Sequence, residues 1–157
     1  TIMKKEISTD RKILISIDES ATSQRAIRYV GRFVGNAHGF DITILHIIED
    51  PPEDHFPNEE ARKKYFDEKN IISKNLLKDA QEVLHSKGIP LDSIHTKGEI
   101  RSYGSLGQSI LEEQKNGGFG TLVVGRKDRS KQEEILLGSV SRKIIQTARD
   151  CSIWVVE

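Results

Sequence analysis

The stretch KILISIDES, residues 12–20, contains the first transition that decides the fold. It begins with a short apolar run, rich in β-branched side chains, which is typical of a buried strand. Asp18, Glu19 and Ser20 interrupt this run, and beyond them the apolar residues recur at helical spacing. The change of period predicts a strand over Lys12–Ile17 that is followed directly by a helix.

The helix predicted after this turn has one apolar and one basic face. Ser20 or Thr22 is expected to cap its first turn, because a hydroxyl accepts a hydrogen bond from a backbone N–H that has no partner within the helix. Gly39 is expected to end the segment. The apolar face is predicted to consist of Ala26, Ile27, Val30, Phe33, Val34 and Ala37.

The same alternation of strand and helix continues along the chain. Four more strands are predicted, over residues 42–48, 91–97, 121–124 and 152–156. Three more helices are predicted: a long one through Tyr65, Ile72, Leu76, Ala80 and Val83 that ends at Gly88, a short one marked by Leu106, Ile110 and Leu111, and a last one over residues 139–148. Apolar strands that alternate with helices indicate a parallel sheet covered on both faces. We therefore predict an α/β fold, a doubly wound five-stranded parallel sheet in a three-layer sandwich, as a single domain over residues 1–157.

Residues 51–70 break the pattern. This segment holds three of the four prolines, and half of its residues are charged. Its first part is predicted to be an exposed, mobile loop, and the sequence assigns it no role.

The composition of the 157-residue chain excludes several classes of protein. Lysine and arginine total 24 and aspartate and glutamate total 24, whereas a dedicated nucleic-acid binder normally carries a surplus of positive charge. No apolar run approaches the length that crosses a bilayer, about 20 residues. The single cysteine, Cys151, cannot form an internal disulfide, which fits a reducing compartment. We expect a cytoplasmic protein with neither a nucleic-acid nor a membrane partner.

The carboxyl ends of the strands are where a ligand is expected, because open parallel sheets bind ligands where the winding direction reverses. The fourth strand delivers Gly125 and a basic loop to this edge, and Gly138-Ser139 opens the last helix. Glycine lets a backbone approach an anion, and the N–H groups of a helix N-terminus point at it. Gly-Ser is equally an ordinary helix cap, so the phosphate-binding and capping interpretations both stand.

The spacing in the last third of the chain resembles the fingerprint of the universal stress protein family, which is Gly, two residues, Gly, nine residues, then Gly and Ser or Thr. Gly125 supplies the first glycine, and nine residues separate position 128 from Gly138-Ser139. Residues 135–141 look like the most recognisable segment of the family. The first strand, with Asp18 in its acidic turn, is also similar. The resemblance extends over essentially the whole chain.

The resemblance implies a non-catalytic protein of stress response or signalling that binds an adenine nucleotide, ATP or AMP, with or without magnesium. Asp18 would then hydrogen-bond the ribose or adenosine end, and the backbone of Ile47 would meet the adenine edge. The residues assigned to the phosphate end are Gly125, Arg126, Gly138, Ser139, Val140 and Ser141. Each has a purely structural alternative, such as Asp18 as a cap of the first helix and Ile47 as a buried strand residue.

One position departs from the fingerprint, because Asp128 stands where its second glycine belongs. An aspartate adds a side chain and a negative charge beside a polyphosphate, although four cations in residues 126–131 surround it. The alternative function is therefore a degenerate family member that binds no nucleotide and acts as a dimeric interaction module.

Other chemistry has weaker support in the sequence. No two of the five histidines have metal-ligand spacing, so no metal site is predicted. His46 is interpreted as a satisfied interior histidine rather than a catalytic one. The pair Asp18-Glu19 resembles the acidic pair of phosphoacceptor receiver domains, but no middle strand is predicted to end in aspartate. We assign no catalytic residue, since no general base is evident, and expect at most a slow ATPase.

The last predicted strand, Ser152–Val156, is apolar on both faces. The final strand of a doubly wound sheet lies at an edge, where its unpaired N–H and C=O groups can bind the same strand of a second copy. The family resemblance implies the same arrangement. We predict a homodimer through this strand, to which Trp154 contributes apolar area.

Overall fold

The computed structural model describes residues 9–126 and 139–157. The strands are β1 (Lys12–Ile17), β2 (Asp41–Asp50), β3 (Ile94–Ser102), β4 (Thr121–Gly125) and β5 (Ser152–Val156). The helices are α1 (Ala21–Val34), α2 (Glu59–Ser86), α3 (Leu106–Gly117) and α4 (Ser139–Thr147). Short 3₁₀ turns occupy Thr9–Arg11, Glu53–His55 and Leu91–Ser93.

All five strands are parallel, in the order β3-β2-β1-β4-β5. The chain moves outward from β1 to β2 and β3, and then continues on the other side of β1 with β4 and β5. The winding direction therefore reverses between β1 and β4. The predicted doubly wound five-stranded parallel sheet is confirmed.

The sheet separates two apolar cores. Ile13 and Ile15 face α1 and α2 on one side, whereas Leu14 faces α3 and α4 on the other. All three side chains have no exposed surface. Because successive strand residues point to opposite faces, a run that is apolar at every position fills both layers. The three-layer sandwich follows from this run.

The bounds of β3 differ from the prediction for residues 91–97. Leu91–Ser93 forms a 3₁₀ turn after Pro90, and the strand runs from Ile94 to Ser102. As an edge strand β3 is mostly exposed, so its charged residues continue the ladder without an apolar run. The predicted strand was wrong at both ends for this reason.

The first helix also differs from the prediction at its end and on one face. Ser20 is its N-cap and accepts a hydrogen bond from the N–H of Ser23, as predicted. The helix ends at Val34, with Gly35 as C-cap at φ 51°, and not at Gly39. Phe33 is 59% exposed and does not belong to the buried face.

Residues 51–70 divide into a first part outside the α-helices and a following helix, as the sequence predicted. Asn58 caps α2 by accepting a hydrogen bond from the N–H of Ala61 at 2.8 Å, so the helix begins at Glu59. The remaining residues, 59–70, are helical, and most of their charged side chains are exposed.

Candidate functional site

A cleft opens at the carboxyl ends of the strands, where the winding direction reverses. Its volume is about 1320 Å³, above the roughly 300–1,000 Å³ of typical small-molecule sites. The structure brings six of the eight sequence-predicted site residues to its wall. These are Asp18, Ile47, Gly125, Ser139, Val140 and Ser141.

Arg126 is turned toward the edge of the sheet rather than into the cleft. Its backbone N–H donates to the carbonyl of Val156 at 2.7 Å, and its guanidinium lies 3.1 Å from the carboxylate of Glu157. Arg126 is not among the described residues that line the cleft. Gly138 and Asp128 lie outside the described residues.

Asp18 organises the first turn of α1 while it lines the cleft. One carboxylate oxygen accepts hydrogen bonds from the N–H of Ser20 at 2.8 Å and the hydroxyl of Ser23 at 2.9 Å. The Ser23 hydroxyl in turn accepts from the N–H of Asp18 at 2.8 Å. These hydrogen bonds support the interpretation of Asp18 as a cap of α1. Asp18 also lies in the cleft wall, so its interpretation as a ligand-binding residue remains open.

Gly125 has a packing reason to be glycine. A Cβ added there would lie 2.7–2.8 Å from backbone atoms of Thr22 and Ser23 in the first turn of α1. Real Cβ atoms do not approach backbone so closely, and the backbone of a capped turn cannot move away cheaply. The close approach of α1 to the end of β4 therefore sets the floor of the cleft.

The end of β2 offers backbone groups to the cleft. The pairing of β1 with β2 stops at Ile17 and His46, whereas β2 and β3 stay paired as far as Asp50 and Ser102. Beyond His46, the side of β2 that faces away from β3 thus has no neighbour in β1. Tyr65 uses one of these groups, because its hydroxyl donates to the carbonyl of Glu49 at 2.9 Å.

His46 is buried beneath the cleft wall, with only 6% of its surface exposed. Its Nδ1 lies 2.8 Å from the hydroxyl of Ser73 in α2. Burial lowers the pKa of His46, and the charges of Asp18 and Glu19 oppose that shift only in part. The ring is therefore neutral near pH 7, which agrees with the interpretation as an interior histidine.

The mouth of the cleft includes one residue that sequence reasoning missed and one whose role it left open. Lys69 of α2 lines the cleft and lies 3.7 Å from Glu19, whereas Arg62, 3.0 Å from Asp50, is not among the described residues of the cleft wall. The sequence signal for Lys69 was the charged segment 51–70, to whose helical part it belongs. The sequence left two interpretations open for residues 98–107, which include Tyr103: a part of the pocket mouth or an inert surface loop. Tyr103 lies in the wall of the cleft, directly after the end of β3.

In residues 9–126 and 139–157 no group of three or more histidine, cysteine, aspartate and glutamate side chains is arranged to hold a metal ion. No helix in the same ranges combines the length and apolar character of a membrane span.

The cleft at the β1–β4 switch has the first turn of α4 in its wall. The profile of the universal stress protein family matches residues 10–157. The chain is a member of the universal stress protein family. It is 27% identical to universal stress protein YxiE of Bacillus subtilis over 161 aligned residues, which covers 92% of this chain and 97% of the relative.

Solved structures of universal stress proteins share the fold. UspA from Lactobacillus plantarum superposes with a TM-score of 0.75 at 17% identity, covering 93% of this chain and 97% of that chain. A universal stress protein from Archaeoglobus fulgidus, solved in complex with dAMP, gives a TM-score of 0.62 at 16% identity, covering 93% of this chain and 97% of that chain. A further universal stress protein, solved in complex with cAMP, superposes with a TM-score of 0.64 at 18% identity, covering 93% of this chain and 95% of that chain.

Proposed function

We propose that this universal stress protein binds an adenine nucleotide, ATP or AMP, in the cleft and acts in stress response or signalling without catalysis. The observation that carries the proposal is the convergence of Asp18, Ile47 and Gly125 with the first turn of α4 around one cleft. These residues come from three distant parts of the chain. The dAMP and cAMP complexes of fold relatives support the class of ligand.

Each end of the cleft suits one part of a nucleotide. The backbone of β2 beyond His46 can hydrogen-bond the edge of a base, and Asp18 can accept from a ribose hydroxyl. The N–H groups and dipole of α4 favour an anion near Ser139 and Ser141. A nucleotide would therefore lie with its base toward β2 and its phosphates toward α4.

Isothermal titration tests this proposal directly. We expect heat of binding with ATP and AMP, measured with and without magnesium. The variant Ser139→Ala removes a hydroxyl at the phosphate end, so it should lower the affinity for ATP more than the affinity for adenosine. Absence of heat at millimolar nucleotide would overturn the proposal.

A second candidate function follows from Asp128 in the place of a fingerprint glycine. In this alternative the chain has lost nucleotide binding and serves as a dimeric interaction module. Comparison of the unaltered chain with Asp128→Gly separates the two: binding only in the variant supports the alternative, and binding by the unaltered chain excludes it.

We also propose that the protein forms a homodimer through β5. Tyr29 and Phe33 of α1 pack on Trp154 of β5, with ring centroids 5.8 and 5.0 Å away, and form an aromatic patch beside this edge. Tyr29 is 47% exposed and Phe33 is 59% exposed. An edge strand flanked by exposed aromatic rings favours pairing with a second copy.

A further inference from the structure

An exposed aromatic ring borders the base end of the cleft. Tyr103 follows β3 directly, lines the cleft and has 67% of its surface exposed. Other exposed rings in the described chain pack on each other, as Tyr29 and Phe33 do at 6.0 Å. The ring of Tyr103 has no aromatic contact, and its hydroxyl no hydrogen bond, within residues 9–126 and 139–157. This ring is therefore available to a ligand.

The backbone that carries this ring is fixed. The N–H of Tyr103 donates to the carbonyl of Asp50 at 3.0 Å, and the N–H of Ser105 donates to the carbonyl of Ser102 at 3.2 Å. Gly104 has φ +82°, as the third residue of a type II turn requires. Tyr103 is the second residue of this turn. Because the turn holds the backbone, a bound ligand restricts only the two side-chain torsions of Tyr103, a small entropic cost for the contact area of the ring.

The surroundings of Tyr103 define the chemistry of its ligand. Ile47, Pro51 and Pro52 give this end of the cleft apolar surfaces, while the backbone of β2 beyond His46 has polar groups without a partner in β1. A flat heteroaromatic ring satisfies both features, because its faces are apolar and its edge forms hydrogen bonds. An aliphatic chain would leave the backbone groups unpaired, and a small anion would leave the apolar surfaces in water.

We propose that Tyr103 stacks on the base of the bound nucleotide and gives the cleft a preference for purines over pyrimidines. The two fused rings of a purine cover more of the tyrosine ring than one pyrimidine ring does. This inference deepens the proposed nucleotide function and rests on it.

The test compares the affinities of AMP and UMP by isothermal titration. Tyr103→Ala should weaken the binding of AMP by about 5-fold to 100-fold, the usual effect of losing one stacked aromatic side chain. It should also bring the affinities for AMP and UMP closer together. Tyr103→Phe keeps the ring and should retain both affinities. Ile71→Ala is the matched control, because Ile71 is 62% exposed on α2 and does not line the cleft.

A spectroscopic readout separates stacking from a loss of structure. On addition of AMP, the ring protons of Tyr103 should shift upfield, and these signals should be missing from Tyr103→Ala. If the unaltered protein binds AMP and Tyr103→Ala binds it equally well, the stacking role is overturned and the nucleotide function stands. If the unaltered protein binds neither nucleotide, both proposals fall.

Discussion

At Gly125 the end of β4 passes so close to the first turn of α1 that a side chain has no room. Gly125→Ala should therefore lower the free energy of unfolding by about 2 kcal/mol or more, as overpacking against rigid neighbours does. Gly98→Ala is a suitable control, because its added Cβ would meet the side-chain oxygen of Ser73 at 3.3 Å rather than backbone. Chemical denaturation of both variants measures the difference. Equal stability of Gly125→Ala and the unaltered protein would contradict the packing argument.

The buried imidazole of His46 predicts a dependence of stability on pH. Its pKa in the folded protein is lower than the ordinary 6.5, so below that pH the unfolded chain binds a proton that the folded chain resists. The stability contribution of neutral His46 is complete above pH 6.5 and is lost as the pH falls toward the folded pKa. His46→Gln should reduce the change in the denaturation midpoint between pH 7 and pH 5. His38→Gln, at an exposed position, should leave the slope unchanged, and an equal effect of both variants would refute the assignment.

The first turns of α2 are joined to the sheet by the hydrogen bond from the hydroxyl of Tyr65 to the carbonyl of Glu49. Tyr65→Phe removes only this hydroxyl and should cost about 0.5–1.5 kcal/mol of stability. Amide exchange should accelerate first in residues 59–66, because the lost hydrogen bond joins this part of α2 to β2. Tyr29→Phe serves as the control, because the Tyr29 side chain makes ring contacts but its hydroxyl forms no hydrogen bond within residues 9–126 and 139–157. Equal exchange in the two variants would show that the bond does not hold α2 in place.

The strands that sequence predicted with the right bounds are those with apolar side chains on both faces. Lys12–Ile17 and Ser152–Val156 agree with prediction because every residue of an apolar run carries the same signal. The edge strand β3 has polar residues exposed along most of its length, so its sequence is typical of a loop after Lys97. Phe33 matched the apolar spacing of α1 because periodicity does not distinguish core from an aromatic patch at the edge.

The candidate site shows the same limit at the level of elements. Asp18 follows the end of β1, and Ser139 opens α4. The sequence indicates both positions by a change in the spacing of apolar residues. For Tyr103 the sequence left a place at the pocket mouth and an inert surface loop as equal alternatives, because the end of β3 opposite Asp50 depends on the strand register. The packing role of Gly125 depends on the approach of α1, a tertiary contact that no local pattern contains.

At the scale of the whole molecule, the two edges of the sheet are chemically opposite. Along β3, Glu99 lies between Lys97 and Arg101 at 2.8 and 2.9 Å, and such charges discourage pairing with another strand. Along β5, the aromatic patch of Tyr29, Phe33 and Trp154 offers apolar surface instead. If the protein associates, this asymmetry directs the contact to β5.

Replacement of one exposed ring tests that dimer without disturbing the core. Phe33→Glu places a charge in the aromatic patch and, because the dimer is two-fold symmetric, repeats it on both copies. We expect the unaltered protein to sediment as a dimer at micromolar concentration and Phe33→Glu as a folded monomer, whose unfolding midpoint is lower because the stabilisation by association is lost. Ile100→Glu introduces the same charge at the opposite edge, on a residue that is 50% exposed, and should remain dimeric. A monomeric unaltered protein, or a dimer that only Ile100→Glu dissociates, would overturn the assignment of β5.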